Sequence, residues 1–382
     1  MNILLVEDQP STSLIVQTKL ESWGYTVICA QNGQEALNFL QDNLYPIVLT
    51  DWMMPVIDGP ELCRRIREKT SDSYTYVIMG TAKNSKEDLV YGLEAGADDF
   101  IPKPYNSDEL RIKLRNAERI MDYETRLAEK NVQLQEAIGL IQQDLQKAAH
   151  VQQSLLPMEP GLTLGIRADW IFSPSSEIGG DIFNVFPIGQ CHLAFYLVDV
   201  VGHGIAAAME AMSISKFLTP NFLNRQLTSL SSVAKELNGI FQSTHAVMQN
   251  FTMALGILNT QTHQLRMVHA GHPPSLLIHQ DGTSHIIEGG GLPLGILDDP
   301  EYVDTVIDLE KGDRLYLYSD GILECGNSHG EYYGLSRFRK LMEGTQDQSL
   351  SQSLATLQHT IKKWGNRESF EDDVTVLGIE WS

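Results

Sequence analysis

Several carboxylates in this chain stand where an ordinary core would not place them. The stretch LVDVVGHGIAAAM, Leu197 to Met209, runs as an apolar strand into Asp199, then Gly202-His203-Gly204, then a small-residue helix. The glycines let the backbone leave the strand without a Cβ clash and approach an ion closely. Comparable carboxylates recur: EIGGD ends at Asp181, YLYSDGILE offers Asp320, and EDDVTVLGIEW offers Asp372 and Asp373 just before a strand. Each adjoins an apolar run or a glycine, not a solvated charge run. No Cys or His cluster accompanies them, so hard oxygen ligands predict Mg²⁺ or Mn²⁺, not zinc. Carboxylates from distant segments suit two cations about 3.5–4 Å apart, a pair that activates water and clamps a phosphate.

A second set lies upstream. Glu7 and Asp8 close the run NILLV, Asp51 closes PIVLT, Thr81 follows YVIM, and Lys103 follows DFI. In a parallel doubly wound sheet, ligands collect beyond the carboxyl ends of the strands. One crevice then gathers three carboxylates, a hydroxyl and an ammonium. Carboxylates about 4 Å apart repel by about 4 kcal/mol per pair at an effective dielectric of 20, so the cluster calls for a divalent cation. All-oxygen ligands favour Mg²⁺.

The elements that must hold these residues are legible in outline. Five β-then-α units over the first 120 or so residues predict a five-stranded parallel sheet covered on both faces. A helical pattern then runs from Ser107 to Leu156 without proline. Leu127, Leu134, Ile141, Ala148 and Leu155 form one row at seven-residue spacing, and Asn131, Ile138, Leu145 and Gln152 a second. This heptad seam predicts a dimeric coiled coil, with Asn131 and Gln152 as polar positions that fix register. After Pro157, strand runs with interleaved helices, including Ser231 to Met248, predict an α+β sandwich. Asp281-Gly282 marks a tight hairpin turn. The expected division is residues 1–121, a helical linker 122–156, and residues 157–382.

The 382 residues carry a net charge of −21, which disfavours a nucleic-acid or anionic-membrane partner. The four cysteines are dispersed, so neither a zinc nor a disulfide framework is expected. No signal peptide or membrane span is legible, and a cytoplasmic location is the expectation.

Met1 to about Met121 resembles the response-regulator receiver domain, on LLVEDQP, LTDWMMPVIDG, MGTA and EAGADDFIPKP. The resemblance implies that Asp51 is the phospho-acceptor, a nucleophile that forms an acyl phosphate. It further implies that Glu7, Asp8 and Asp51 hold Mg²⁺ with the backbone carbonyl of Met53. Thr81 and Lys103 would bind the phosphoryl oxygens, Phe100 would be the aromatic switch, and a cognate sensor histidine kinase would be the partner.

The remainder, from about Val151 to Ser382, resembles the PP2C-type metal-dependent Ser/Thr phosphatases, in particular the SpoIIE/RsbU-like branch. The motifs are G-G-D, D-V-x-G-H-G, H-A-G-H-P-P, G-x-P-L-G, S-D-G-x-x-E and D-D-x-T, in that order. The resemblance implies two Mn²⁺ or Mg²⁺ ions. Asp199 would bridge them, the Val200 carbonyl would bind one, and Asp320 and Asp372 would complete the other site. Asp181 would reach a metal directly or through water, and Asp372 is chosen over Asp373 as the first acid of its motif. His203, His269 and His272 are read as structural, and Arg167 as a weak candidate for a phosphate-binding arginine. The implied substrate is a phosphorylated STAS-domain anti-anti-sigma protein; the homodimer through the linker helix is expected from the heptad seam, not from the resemblance. The alternatives are a non-catalytic adaptor and a DNA-binding regulator; the intact acid set disfavours the first, and the charge disfavours the second.

Overall fold

The computed structural model describes residues 1–68, 74–82, 86–157, 159–243, 250–366 and 370–381. It divides into two units, Met1–Gly139 and Leu140–Ser382.

The first unit alternates strand and helix: β1 (Asn2–Val6), α1 (Pro10–Ser22), β2 (Thr26–Ala30), α2 (Gly33–Asp42), β3 (Ile47–Asp51), α3 (Gly59–Glu68), β4 (Tyr76–Thr81), α4 (Lys86–Glu94) and β5 (Asp99–Pro102). The strands form one parallel sheet in the order β2-β1-β3-β4-β5. Successive side chains of a strand face opposite ways. Ile3 and Leu5 therefore pack with Leu110 and Leu114 on one face, and Leu4 and Val6 with Ala36 and Leu62 on the other. A sheet buried on both faces needs continuous apolar runs, and β1, β3 and β4 have them.

Helix α5 (Ser107–Gln153) is continuous over 47 residues, about 70 Å at 1.5 Å per residue. Leu127, Leu134, Ile138 and Ile141 are exposed along it. The expected seam does not extend to its last polar position. Gln152 is 1% exposed, and Leu155 packs on the core of the second unit. Tertiary contact with that unit, not a partner helix, claims the C-terminal turn. No helix among the described residues is long and apolar enough to cross a membrane.

The second unit adds β6 (Gly161–Thr163), β7 (Ile166–Ser173), β8 (Asp181–Ile188), β9 (His192–Val200), α6 (Ile205–Ser215), α7 (Pro220–Leu223), α8 (Leu230–Ser243), β10 (Phe251–Asn259), β11 (Gln264–Ala270), β12 (Ser275–Ile278), β13 (Ser284–Ile287), β14 (Thr305–Asp308), β15 (Arg314–Tyr318), α9 (Asp320–Leu323), α10 (Gly334–Glu343), α11 (Leu350–Gly365) and β16 (Val374–Trp381). The end of the helix expected from Ser231 to Met248 lies outside the described residues.

Two antiparallel sheets result, β14-β11-β10-β9-β8 and β13-β12-β15-β16-β7-β6. Alternation along β15 shows how they stack. Leu315 and Leu317 join the core shared with β8, β9 and β10, while Tyr316 and Tyr318 face Phe338 and Leu354 of α10 and α11. The expected α+β sandwich is thus present. Its strand β8, DIFNVFPI, is poorly marked in the sequence, because Asn184 and Pro187 interrupt the apolar alternation.

Candidate functional site

In the first unit, the carboxyl ends of β1 and β3 bring Glu7, Asp8 and Asp51 together, with ligand atoms all within 4.8 Å of one another. Lys103 Nζ lies 2.7 Å from Glu7 Oε2 and 2.6 Å from Asp51 Oδ2. Asp51 Oδ1 accepts the Trp52 N–H at 2.7 Å. Burial raises the Glu7 pKa, against the pull of the Lys103 ammonium. Glu7 Oε1 and Asp8 Oδ1 are buried and accept no hydrogen bond. Orphaned carboxylate oxygens of this kind are costly unless a cation takes them up, so the donor set fits Mg²⁺.

Thr81 is buried at the end of β4, one residue beyond Gly80, which pairs with Asp51. Phe100 lies in β5 against Trp52, ring centroids 6.2 Å apart. Gly92 makes room for it, since a Cβ there would come within 2.7 Å of the Phe100 ring. Met53 follows in the loop after β3 with its side chain exposed.

In the second unit the acids arrive from both sheets. Asp181 opens β8 directly opposite Asp199 near the end of β9, and Asp199 in turn pairs with Thr252 of β10. Asp320 opens α9 just past β15, and Asp372 and Asp373 immediately precede β16. Ser319 ties these two segments together: its hydroxyl donates to Asp373 O at 3.2 Å and accepts from Thr375 N at 3.0 Å. Thr375 Oγ1 donates across the sandwich to Asp181 Oδ2 at 2.6 Å. Asp320 and Asp372 lie near enough to Asp199 for their charges to raise its pKa.

The electrostatics show the crowding. Burial, followed by the charges of Asp320 and Asp372, pushes Asp199 up to about 7. Burial, then the neighbouring Asp199, raises Asp181 well above the carboxylate range. Asp320 is raised by burial and by Asp372. Asp181 Oδ1 is buried without a partner. Gly180 lacks the Cβ that would sit 2.8 Å from the Val200 carbonyl oxygen and 3.2 Å from that of Gly202. An unpaired carboxylate oxygen, opened carbonyls and several mutually repelling acids form a donor set that fits hard divalent cations. Among the described residues, only the Glu7 group gathers three acids as tightly as 4.8 Å.

The adjacent acids Asp372 and Asp373 differ sharply. Asp373 is buried and its carboxylate is fully engaged. Oδ1 accepts from Ser175 N and Oγ at 2.7 and 2.9 Å, and Oδ2 from Gly180 N and Asp181 N at 2.5 and 3.4 Å. Asp372 is exposed and, among the described residues, accepts only the following N–H, at 2.8 Å. Asp372 is therefore the acid with lone pairs to offer.

His203 is exposed in the turn after β9. His269 bonds Ser275 Oγ at 2.8 Å and His272 bonds Thr252 Oγ1 at 2.7 Å; burial pushes their pKa values down to about 4 and about 3. Each is tied to a hydroxyl near a strand end, Ser275 of β12 and Thr252 of β10. Arg167 is exposed opposite Glu380, six strand positions from Ser173 at the acid end, or about 20 Å. It does not line the site. Sequence reasoning missed Ser319, Thr375 and Gln152, whose partners lie far along the chain. The only signal for the first two was their place within S-D-G and D-D-x-T.

Comparison with known proteins matches a separate family to each half of the chain. Residues 3–115 match the family model for the response regulator receiver domain, and residues 189–382 that for Stage II sporulation protein E (SpoIIE). The phosphoserine phosphatase RsbU of Bacillus subtilis is 30% identical over 242 residues, covering 62% of this chain and 70% of RsbU. The B. subtilis phosphoserine phosphatase RsbP is 29% identical over 188 residues, 47% of this chain and 45% of that protein. The SiaA-PP2C domain of Pseudomonas aeruginosa superimposes with a TM-score of 0.56 at 20% identity, covering 64% of this chain and 99% of that domain, which shows the shared fold. The chain spans about half the length of several of the curated relatives it matches. With the acid-bearing sandwich matched over half of the chain and a receiver fold ahead of it, the chain belongs to the SpoIIE family, in a form that carries a response regulator receiver domain.

Proposed function

We propose that this chain is a metal-dependent protein Ser/Thr phosphatase whose activity is set by phosphorylation of its own receiver at Asp51. The observation that carries the reading is the convergence of Asp181, Asp199, Asp320 and Asp372, with an unpaired buried oxygen on Asp181 and raised pKa values at three of the four. The receiver comprises residues 1–121, the linker 122–156 and the phosphatase 157–382.

In this reading Asp199 and the Val200 carbonyl would hold cations together with Asp181, Asp320 and Asp372. A pair of Mn²⁺ or Mg²⁺ ions there supplies Lewis-acid stabilisation of phosphate charge and lowers the pKa of a water. The protein's own part is to orient. Thr375 fixes one oxygen of Asp181 and leaves the other to coordinate. The Ser319 cross-link holds Asp320 and Asp372 side by side. Hydrolysis then breaks the P–O bond of a phosphoserine or phosphothreonine, with water supplying the oxygen of the released phosphate and a proton for the side-chain hydroxyl. Asp372 is exposed, so the site is reachable by a residue on another protein.

In the receiver, Glu7, Asp8 and Asp51, with the Met53 carbonyl, would hold Mg²⁺, and the Asp51 carboxylate would take the phosphoryl group from a phosphohistidine, forming an acyl phosphate and releasing the imidazole. Lys103 already contacts Asp51, and Thr81 and Lys103 bind the phosphoryl oxygens once they arrive. Phe100 follows that shift. The donor is a cognate sensor histidine kinase. The substrate is a phosphorylated STAS-domain anti-anti-sigma protein, by extension from the phosphoserine phosphatases RsbU and RsbP. The exposed stripe Leu127, Leu134, Ile138 and Ile141 pairs two copies, and phosphorylation activates through it.

The test is hydrolysis of p-nitrophenyl phosphate and of a phosphorylated STAS protein with Mn²⁺, with and without beryllofluoride. Metal-dependent turnover that rises with beryllofluoride is expected. A folded chain with no metal-dependent turnover would be a non-catalytic adaptor, and the reading would fall.

A further inference from the structure

Gln152, in the last turn of α5, is buried for no reason that the heptad pattern supplies. Its side chain is 1% exposed and engages both backbone groups of one residue. Nε2 donates to Gly179 O at 2.7 Å, and Oε1 accepts from Gly179 N at 3.3 Å. Gly179 and Gly180 form the turn that delivers Asp181. On its other side this turn is held by Asp373, whose Oδ2 accepts from Gly180 N and Asp181 N. No larger residue fits: a Cβ on Gly179 would lie 2.5 Å from Asp373 Oδ2, and one on Gly180 would lie 2.8 Å from Val200 O. The glycines that allow the close approach also make the turn soft, because their backbone is the least restricted. Two clamps restore its geometry, Asp373 from the strand side and Gln152 from the helix side.

The end of α5 is itself fixed. Asn184 Nδ2 of β8 donates to Leu155 O at 2.9 Å, and Leu156 is part of the sandwich core. Gln152 therefore acts from a fixed base, and its planar amide offers a donor to the Gly179 carbonyl and an acceptor to the Gly179 N–H at once. A leucine would fill the same space, so packing alone does not call for an amide here.

We propose that Gln152 is a positioning residue for the phosphatase site, holding the Gly179-Gly180 turn so that the unpaired oxygen of Asp181 faces the metal-binding acids. The inference rests on the proposed function above. It assigns a role to a residue that lies ahead of the residues matched by the SpoIIE family model.

The test compares Gln152→Met, which keeps length and volume without the hydrogen bonds, with the wild-type full-length chain. In metal-free protein, amide exchange at Gly179, Gly180 and Asp181 is expected to accelerate at least tenfold, while the β10 and β15 amides stay protected. The Mn²⁺ concentration for half-maximal turnover, and the Mn²⁺ dissociation constant by calorimetry, are expected to rise about tenfold, in line with losing a buried hydrogen-bonded pair. Turnover at saturating Mn²⁺ should recover to within a few-fold of wild type. Leu354→Ala, in the core beneath α11, serves as a control that lowers thermal stability without shifting Mn²⁺ affinity. Gln152→Asn, which keeps the amide on a shorter stem, gives the same readouts in milder form if the Met variant does not fold. Unchanged exchange at the turn and unchanged Mn²⁺ affinity in an active variant overturn the role of Gln152. Absence of Mn²⁺ binding and turnover in the wild type overturns the phosphatase reading instead.

Discussion

Exchanging the adjacent acids Asp372 and Asp373 for asparagine, one at a time, should separate metal binding from structural support. In Asp373→Asn, one end of the side chain can still accept, but the other now presents an N–H₂ to donors. If the oxygen stays on Ser175, the Gly180 and Asp181 N–H groups face a donor and lose their acceptor. Losing a hydrogen bond to a charged group costs about 1.5–3 kcal/mol, and leaving a buried donor unsatisfied costs about 1–3 kcal/mol more. A total near 3–5 kcal/mol is expected. For a domain of this size that lowers the melting temperature by roughly 10 °C. Asp372 is exposed and, among the described residues, accepts only the following N–H, which an asparagine oxygen can also do. Asp372→Asn should therefore change stability by less than about 0.5 kcal/mol, yet it removes a proposed metal ligand. The assay is thermal unfolding in chelator beside Mn²⁺-dependent turnover of p-nitrophenyl phosphate. Asp372→Asn should melt like wild type and lose turnover, and Asp373→Asn should melt early. An active Asp372→Asn enzyme, or an Asp373→Asn protein with an unaltered melting temperature, would refute the assignment.

Asp199→Asn and Asp320→Asn should each abolish Mn²⁺-dependent turnover in a folded protein; near-normal activity in either variant rules out the two-ion assignment. Acetyl phosphate should label the wild type and leave Asp51→Ala unlabelled, and a label retained in that variant would point to another acceptor. Replacing Ile138 and Leu145 together with Asp should abolish self-association and the response to beryllofluoride, while Asp51 labelling and Mn²⁺ binding persist; a dimer that still responds makes the helix a mere tether. His269 is held down to about 4 by burial, below the 6.5 of a free imidazole. The unfolded chain thus takes up a proton below pH 6.5 that the folded chain refuses until about 4, and stability is lost as pH falls through that window. The slope is up to about 1.4 kcal/mol per pH unit. Urea midpoints should therefore fall more steeply with acid for the metal-free wild type than for His269→Gln, and parallel curves would exclude this contribution.

The amino-acid sequence by itself determined the two folds and the positions of the acids. The reason is local: an apolar strand that stops on a carboxylate, or a glycine pair that precedes one, can be read within about ten residues. Alternation wrote most strands and heptad spacing wrote α5, whereas β8 was hidden because its polar and proline positions break the alternation. Tertiary structure decided how neighbouring, chemically identical residues divide their work. Asp372 and Asp373 are the same residue type side by side, and in the sequence only their order in D-D-x-T separates them. Asp373 is consumed by Ser175 and Gly180, which lie 198 and 193 residues away, and that contact leaves Asp372 exposed. The same holds for Gln152, which helical periodicity placed in a seam between two helices. Burying its amide requires a partner for both donor and acceptor, and the backbone of Gly179 provides both only after the sandwich has folded against the end of the helix.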